Sequence, residues 1–240
     1  MQPVVPTNQH RDHGLDLLKW LAMLSMVLDH LRYVGWSLDF LYIPGRMAFP
    51  WFCLAIAANV ARRPDTPLRL AYLGWLVMFS VLAEWPYRLF VGPDEPLNVL
   101  PTLALGLLVA SAWQTRQPRA LWLGAGALLA GALAWDQLMF GLPGVLLPTV
   151  FLVVLERRPG WSILPGLVCL FANEWYVIIP AARQYNWVAA GGVLACLIAP
   201  WLGMSLMRKC QGLKVPPMRR WAYLIYPVHF ILLLGLRSVI

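Results

Sequence analysis

The sequence predicts an all-α integral membrane protein, a polytopic bundle of about nine transmembrane helices with its N-terminus in the cytoplasm. Three observations favour this fold class. Of the 240 residues, 60% are hydrophobic and only 12% are charged, which is more apolar than a soluble domain of this size requires. Apolar runs of near-bilayer length recur along the chain. Basic residues concentrate between alternate runs, as the positive-inside rule expects.

Proline, glycine and charged residues divide the chain into apolar segments that each approach the ~20 residues needed to cross a bilayer. We place these segments at 17–36, 47–61, 68–90, 97–113, 119–135, 138–155, 161–180, 187–207 and 221–237. The second is short for a complete span and is a candidate for a tilted or re-entrant helix. Residues 1–14 are polar and lack the layout of a cleavable signal peptide, so we expect a cytoplasmic tail before an uncleaved anchor. We expect residues 1–240 to form a single transmembrane domain.

The distribution of basic residues predicts the orientation of the helices. Net charge is +8, and 14 of the 19 basic residues lie on the side that a cytoplasmic N-terminus places inside. They are Arg11, Lys19, Arg62, Arg63, Arg69, Arg116, Arg119, Arg157, Arg158, Arg208, Lys209, Lys214, Arg219 and Arg220. The outer side keeps Arg32, Arg46, Arg88, Arg183 and Arg237. Orientation in a membrane therefore explains the positive charge, and we do not expect nucleic-acid binding.

The first segment carries an Asp-His pair beyond the middle of the membrane. Asp29 lies ~18 Å from the cytoplasmic end of the segment, in a hydrocarbon core ~30 Å thick. Ser25, Asp29 and Arg32 share one helical face, whereas His30 points about 100° away from it. A pair of Asp29 and Arg32 at i,i+3 spacing would satisfy both charges, but it leaves His30 unexplained.

Polar residues of the later segments fall in the same half of the membrane. In chain order they are Arg46 at the start of the second segment, Glu84 near the end of the third, Asn98 and Thr102 at the start of the fourth, Asp136 after the fifth, Asn173 and Glu174 in the seventh, and Tyr223, Tyr226 and His229 in the ninth. Ionisable residues at such depth usually face a cavity and mark function. Side chains near helix ends also snorkel to water, which gives Arg46 and Glu84 a structural alternative. Asn173 and Glu174 also fit a solvated helix end.

Two histidines at similar depth, one of them beside a carboxylate, suit proton removal from an attacking nucleophile. A histidine titrates near ambient pH, as a general base should. Asp29 would orient the ring of His30 and stabilise its imidazolium form, and Arg46 would hold an anion or an oxyanion. If His30 and His229 serve one site, the first and last segments must be neighbours.

Other features of the sequence narrow the chemistry. Serine and cysteine residues stand outside nucleophile-elbow sequences, which favours direct transfer over a covalent enzyme intermediate. The four cysteines have no paired spacing, which argues against a disulfide framework or a zinc site. Small-residue pairs such as Gly106 and Ala110 indicate close helix packing. A proton-coupled transporter would use the same Asp and His residues as a relay, and a structural assembly factor would need none of them.

Several motifs of the chain resemble those of a known family. They are "LDLLKWLAMLSMVLDH" (15–30), "GRMAFPWFCLAIAANVARR" (45–63), "AEWPYRL" (83–89), "LNVLPTLALGLL" (97–108), "YLIYPVHFILL" (223–233) and, more weakly, "WDQLMFGLPGVLL" (135–147). In this order and spacing they resemble the TraX family, whose founding members are the pilin acetylases of conjugative plasmids. The family is distantly similar to membrane acyltransferases that O-acylate surface polysaccharides. Arg88 departs from the pattern, because many relatives carry an acidic residue after the Glu-x-Pro element.

The resemblance implies a multi-pass acetyltransferase of the bacterial inner membrane. It implies acetyl-CoA as donor, no metal, and the N-terminal amine of a membrane-inserted pilin subunit as acceptor. The site residues that we carry over are Asp29, His30, Arg46 and His229 as catalytic residues and Glu84, Asn98 and Tyr226 as substrate-binding residues. His30 is our choice of base, although exchanged roles for His30 and His229 stay open. The alternatives are O-acyl transfer to a surface glycan or another exported acceptor, and a proton-coupled transporter.

The position of the donor raises a question of access. CoA is cytoplasmic, whereas the polar residues lie toward the outer face. Either the pantetheine arm of CoA threads between helices from a basic inner rim, or an acetyl group is relayed. Candidate rim residues are Arg62, Arg63, Arg208, Lys209, Arg219 and Arg220. The positive-inside rule explains these residues equally well.

Overall fold

The structure, a computed structural model, describes residues 11–62, 70–157 and 163–240, and no strand occurs within these three ranges. The helices are α1 (His13–Leu31), α2 (Tyr42–Gly45), α3 (Ala48–Ala61), α4 (Leu70–Val91), α5 (Val99–Thr115), α6 (Pro118–Leu133), α7 (Gly141–Arg157), α8 (Leu164–Ala172), α9 (Trp175–Arg183), α10 (Trp187–Lys209) and α11 (Ile225–Arg237). The all-α fold class is therefore confirmed. Residues 1–10 of the predicted tail, together with Arg63, Arg69 and Arg158 of the predicted inner set, lie outside the described residues.

The helix ends differ from the predicted segments where local hydrogen bonds decide them. α1 starts at His13, four residues before the apolar run, because the Asp12 side chain accepts a hydrogen bond from the backbone N–H of Leu15 at 2.7 Å. α5 starts at Val99, where the Asn98 side chain caps the backbone N–H of Leu100 in the same way. The second segment is longer than predicted, since helical structure runs over Asp39–Ala61 and reaches 23 residues. Its length removes the reason for calling it a short span.

The seventh predicted segment is not one straight helix. α8 and α9 meet at an angle of 94°, and Glu174 between them has a left-handed backbone with φ of 52°. A non-glycine residue in this conformation ends the regular hydrogen-bond pattern of a helix. The break falls at Asn173 and Glu174, two polar residues that interrupt the apolar run, but hydropathy does not predict the angle between the two helices.

Length and composition identify fewer membrane spans than the sequence predicts. Among the described residues, Asp39–Ala61 and Trp187–Lys209 are long and apolar enough to cross a membrane, and the bent pair α8–α9 could form a third span. α5, α6 and α7 are apolar but shorter. The count of about nine spans and the cytoplasmic N-terminus stay predictions.

The outer surface of the bundle is apolar, as expected for a protein that faces lipid. α6 illustrates this arrangement. Its small residues Gly124, Ala127 and Gly131 are buried against the bundle, whereas Trp122 and Leu133 are each 80% exposed. A soluble helix would reverse this pattern and turn its large apolar side chains inward. The exposed apolar surface supports the assignment as a membrane protein.

Close packing at small residues positions the helices that carry polar side chains. α5 packs against α3, α4, α6 and α7, and α1 packs against α3 and α10. A Cβ atom on Gly106 of α5 would lie 2.8 Å from the Pro148 ring of α7, which confirms the predicted packing role of Gly106. α11 packs along α4 and contacts α1, so the first and last predicted segments are neighbours.

Candidate functional site

Two histidines from opposite ends of the chain meet between α1 and α11. The Nδ1 atom of His30 lies 3.0 Å from the Nε2 atom of His229, although 199 residues separate them in sequence. His229 is only 4% exposed, and its other ring nitrogen, Nδ1, lies 3.1 Å from the backbone carbonyl oxygen of Ile225. The structure thus joins the two predicted histidines by a direct hydrogen bond.

The carbonyl oxygen of Ile225 fixes the direction of this hydrogen bond. A carbonyl oxygen can only accept, so Nδ1 of His229 carries the proton and donates it. In a neutral imidazole the second nitrogen is then an acceptor, and Nε2 of His229 accepts from Nδ1–H of His30. The remaining nitrogen of His30, Nε2, keeps its lone pair. Of the two rings, His30 is therefore the one arranged to act as a base.

Aromatic rings hold the histidine pair in place. The ring of Phe230 lies with its centroid 3.9 Å from that of His229 and 4.9 Å from that of His30. Phe90 of α4 meets His30 edge-on at 6.3 Å. Apolar neighbours of this kind exclude water and restrict ring rotation, so the orientation of the pair is largely preset.

Asp29 lies at the centre of a buried charge network. Its Oδ2 atom accepts from Nη2 of Arg46 at 2.9 Å, and its Oδ1 atom accepts from Nε of Arg32 at 3.0 Å. Nη1 of Arg46 donates to Oδ1 of Asn173 at 2.7 Å, and the amide nitrogen of Asn173 donates to the Cys169 carbonyl oxygen. Asn173 is 4% exposed, so it is not the solvated helix end that its position in the sequence also allowed.

These contacts change the interpretation of Asp29. The sequence predicts that Asp29 orients the ring of His30, but both of its carboxylate oxygens accept from guanidinium groups. Nδ1–H of His30 donates to Nε2 of His229 instead, so His229 is the residue that orients the His30 ring. The i,i+3 pair with Arg32 forms as expected, and Arg46 adds the second and more buried partner. Successive helix positions point about 100° apart, so neighbours in sequence need not share a partner.

Glycine at position 45 makes the Asp29–Arg46 pair possible. A Cβ atom there would lie 2.4 Å from Oδ1 of Asp29 and 2.5 Å from its Cβ atom. Any side chain would therefore push α2 away from α1. Gly45 thus lets the backbone of α2 approach α1 closely, and the next residue, Arg46, then lies within hydrogen-bond distance of Asp29.

Arg46 keeps one unused donor. Its Nε atom is buried and has no hydrogen-bond partner among the described residues. The guanidinium group stacks on the ring of Tyr42, with its central carbon 4.3 Å from the ring centroid. A buried donor left unpaired costs free energy, which favours a polar group of a bound molecule as its partner.

Glu84 and Asn98 form a second polar cluster that ties α4 to the start of α5. Oε2 of Glu84 accepts from the side-chain amide of Asn98 at 2.6 Å and from its backbone N–H at 3.1 Å. Oε1 of Glu84 accepts from Nε of Arg88 at 2.6 Å. The amide of Asn98, which is fully buried, also donates to the Ser80 carbonyl oxygen at 2.9 Å. Arg88, which departs from the family pattern, is here the ion-pair partner of Glu84.

Tyr226 joins the two clusters. Its hydroxyl accepts from the backbone N–H of Val99 at 3.3 Å, next to Asn98, and its ring lies 5.6 Å from that of His229. The predicted residues, together with Val99, thus form one continuous series, in which each member either contacts the next or is adjacent to it in the sequence. In order the series is Arg46, Asp29, His30, His229, Tyr226, Val99, Asn98 and Glu84.

Sequence reasoning missed some partners of this network. Tyr42 and Cys169 were not singled out, since an aromatic or a cysteine in an apolar run gives no distinguishing signal. The side-chain amide nitrogen of Asn173 also lies 3.6 Å from the Sγ atom of Cys169. Asn173, a polar residue inside an apolar segment, is the signal that marks this region in the sequence.

A cavity of about 630 Å³ lies beside the site. On α1 it is lined by Lys19, Met23 and Met26, which share one helical face. Arg219 and Arg220, just before the last segment, line one end, and Tyr226 of that segment lines the cavity one helical turn before His229. The cavity is therefore basic at one end and ends about one helical turn short of the histidine pair at the other.

Comparison with known proteins agrees with the motifs. The family model described as "TraX protein" matches residues 14–237. "Protein TraX" of Escherichia coli is 28% identical over 219 residues, which cover 90% of this chain and 82% of that protein. "Protein TraX" of Escherichia coli strain K12 is 28% identical over 201 residues, which cover 82% and 75% of the two chains. No solved structure matches the chain. Because the family model covers nearly the whole sequence, this chain belongs to the TraX family.

Proposed function

We propose that this protein is an acetyltransferase of the bacterial inner membrane. It transfers an acetyl group from acetyl-CoA to the N-terminal amine of a membrane-inserted pilin subunit. In this proposal the chain crosses the bilayer about nine times with its N-terminus in the cytoplasm. Membership of the TraX family and the apolar outer surface support the setting, and the histidine pair supports the chemistry.

The single observation that carries the proposal is the directed hydrogen bond between the two histidines. It leaves the lone pair of His30 Nε2 available while His229 holds the opposite nitrogen. This is the arrangement of a general base with an orienting partner. A transporter relay would need no such preset tautomer, so the geometry favours acid-base chemistry over transport.

The transfer step balances with these groups alone. The amine attacks in its neutral form, and Nε2 of His30 takes one of its two protons as the nitrogen bonds to the thioester carbonyl carbon. The carbonyl oxygen carries negative charge in the tetrahedral intermediate. Collapse of the intermediate breaks the carbon–sulfur bond. The imidazolium of His30 returns the proton to the leaving thiolate, which gives free CoA and the N-acetylated amine.

Arg46 is the proposed stabiliser of negative charge. Its guanidinium group is oriented by Asp29, Asn173 and Tyr42, and its Nε–H remains unpaired among the residues that the structure describes. A preorganised donor of this kind contributes most where charge develops during the reaction. Asp29 acts in this proposal on Arg46, by fixing its position and balancing its charge.

The three residues that we carry over as substrate-binding have two different proposed roles. They are Glu84, Asn98 and Tyr226. Glu84 and Asn98 satisfy each other, so we assign them to the shape of the site. Tyr226 lines the cavity and lies next to His229, which makes it the residue of this group that would contact a substrate.

The test is the intact mass of a candidate pilin coexpressed with the wild-type protein or its variants. We expect wild type to add one acetyl group, about 42 Da from its chemical formula, and His30→Ala to lower the rate by about 10²–10⁴-fold. His229→Ala should also lower the rate, and the double variant should lose little beyond the worse single one, as for residues that act as a unit. His13→Ala is the matched control, since His13 lies ~26 Å along α1 from His30.

The outcomes separate the alternatives. An unmodified pilin together with an acetylated glycan would favour the O-acyltransfer alternative. Full activity of the double histidine variant would refute the proposed base. Strictly additive losses would indicate two independent roles for the histidines.

A further inference from the structure

We propose that the cavity beside the histidine pair is the acyl-donor site, with the phosphates of CoA at its basic end and the thioester arm directed toward His30. This inference rests on the proposed function, because it assigns the donor of that reaction to a place in the fold. It also answers the question of how a cytoplasmic donor reaches polar residues deep in the bundle.

The cavity is aligned with the two histidines. Lys19, Met23 and Met26 line the cavity, and the next position on the same face of α1 is His30. The rise from Lys19 to His30 is about 17 Å at 1.5 Å per residue. On the opposite wall Tyr226 lines the cavity one turn before His229. Both walls thus run from a basic end to positions one helical turn short of the hydrogen-bonded pair, at Met26 and Tyr226.

The end of the cavity away from the histidines is positively charged. Lys19, Arg219 and Arg220 all line the cavity there. Asp16 partly balances Lys19, at a distance of 3.8 Å, while Arg220 lies 5.8 Å above the ring of Trp75. Three cations around one opening match a phosphate-bearing ligand, since guanidinium groups bind phosphate oxygens in pairs.

The middle section of the cavity has the size and the apolar lining that a slender ligand requires. Side chains from α1, α3, α4 and α5 line it, among them Phe52, Ala55, Leu76 and Leu103. A volume of about 630 Å³ lies within the ~300–1,000 Å³ of typical ligand sites. The pantetheine arm is slender and of mixed polarity, and a largely apolar passage accommodates it without charged partners.

The cavity also distinguishes basic residues that could bind the donor from those that the positive-inside rule alone explains. Among the predicted rim residues, Arg219 and Arg220 line the cavity. Arg62 instead pairs with Asp12. Arg208 is exposed at the end of α10 and serves as a cation of the same predicted membrane side. Arg63 lies outside the described residues.

The test measures donor binding in purified, detergent-solubilised protein without any acceptor. The probes are a non-transferable thioether analogue of acetyl-CoA and acetylpantetheine, which has the arm but no phosphate. Arg219→Gln combined with Arg220→Gln should weaken the analogue at least tenfold and leave acetylpantetheine within twofold of wild type. Ala55→Trp should weaken both probes at least tenfold, because it fills the passage.

Two matched controls accompany these variants. Arg116→Gln combined with Arg119→Gln removes two exposed charges of the same predicted membrane side outside the cavity and should not change either affinity. Gly74→Trp adds the same bulk on α4 at a position where an added Cβ atom would meet nothing within 4 Å, and it should also leave both affinities unchanged. Unchanged affinity of Ala55→Trp for both probes would overturn the inference, as would equal losses in the Arg116→Gln, Arg119→Gln control and the Arg219→Gln, Arg220→Gln variant.

The binding assay tests the donor site separately from the proposed function. If the analogue binds as expected but no pilin is acetylated, the donor site stands and the acceptor assignment falls. If pilin is acetylated but Ala55→Trp binds and transfers normally, the donor must reach His30 by another route.

Discussion

The buried ion pair between Asp29 and Arg46 gives the sharpest prediction about stability. We expect Asp29→Asn to lower the free energy of unfolding by about 2–4 kcal/mol, because it leaves the guanidinium group of Arg46 buried without its counter-charge. The neutral asparagine keeps one acceptor oxygen, which is why the expected cost lies at the lower end for a broken buried pair.

The magnitude follows from the contacts and their burial. The carboxylate accepts from Arg46 at 2.9 Å and from Arg32 at 3.0 Å, and hydrogen bonds to charged groups contribute about 1.5–3 kcal/mol each when they are shielded from water. The side chains of Arg46 and Asp29 are only 14% and 15% exposed. Arg32 is 21% exposed and spaced i,i+3 from Asp29, so its share is about 0.5 kcal/mol. The Arg46 contact therefore dominates.

A double-mutant cycle with Arg46→Gln isolates that contact. The assay is unfolding in mixed micelles, followed by loss of helical circular dichroism as SDS is added. We expect the double variant to be less destabilised than the sum of the single variants by about 1.5–3 kcal/mol, because the two amides can pair without buried charge. Asp94→Asn removes an exposed carboxylate and should stay within about 0.5 kcal/mol of wild type.

Two results would refute this reasoning. One is an Asp29→Asn variant as stable as wild type. The other is a pair of single costs that add without coupling, which would mean that Asp29 and Arg46 do not depend on each other. The same variant should also acetylate pilin much more slowly per folded molecule, since the proposed stabiliser of the oxyanion would lose its position.

Three further predictions concern other parts of the molecule. Glu84→Gln should lower the free energy of unfolding by about 1–3 kcal/mol, because it weakens the hydrogen bonds to the N-terminus of α5. The transfer rate per folded molecule should stay within threefold of wild type. A loss of rate as large as that of a histidine variant would instead make Glu84 catalytic. Gly45→Ala should destabilise the protein by more than about 1 kcal/mol, as judged by the same SDS titration, whereas Gly74→Ala should be neutral or stabilising by up to about 1 kcal/mol. In intact spheroplasts an impermeant thiol reagent should leave Cys210 unmodified but label a Ser37→Cys variant, and the reverse pattern would invert the predicted topology.

The all-α fold class and a set of candidate site residues could be predicted because both depend on local signals. An apolar run of suitable length predicts a helix wherever it stands, and a charged side chain inside such a run is costly enough to indicate function. Asp29, His30 and His229 stand out for that reason, whereas Arg46 lies just before its predicted segment and stands out through the Gly-Arg motif. The polar pair Asn173–Glu174 allowed a helix end, but the left-handed backbone of Glu174 and the 94° bend could not be predicted, since hydropathy carries no information on backbone angles.

The pairing of the site residues depended on tertiary structure. From spacing alone Asp29 was assigned to the adjacent His30, but α1 turns them toward different neighbours. Arg46 reaches Asp29 because Gly45 lets α2 approach α1 closely, and His229 reaches His30 because α11 packs beside α1.

The sequence by itself determined that this is a helical, lipid-facing chain of the TraX family, and it singled out the polar residues that we propose carry its chemistry. Only the tertiary structure decided that Asp29 pairs with Arg46, that Nδ1 of His30 is hydrogen-bonded to His229, and that a cavity with basic lining residues reaches Tyr226, one helical turn before His229. The physical reason is that burial cost is a property of one residue in its segment. Hydrogen-bond direction and cavity shape are instead properties of several helices packed together.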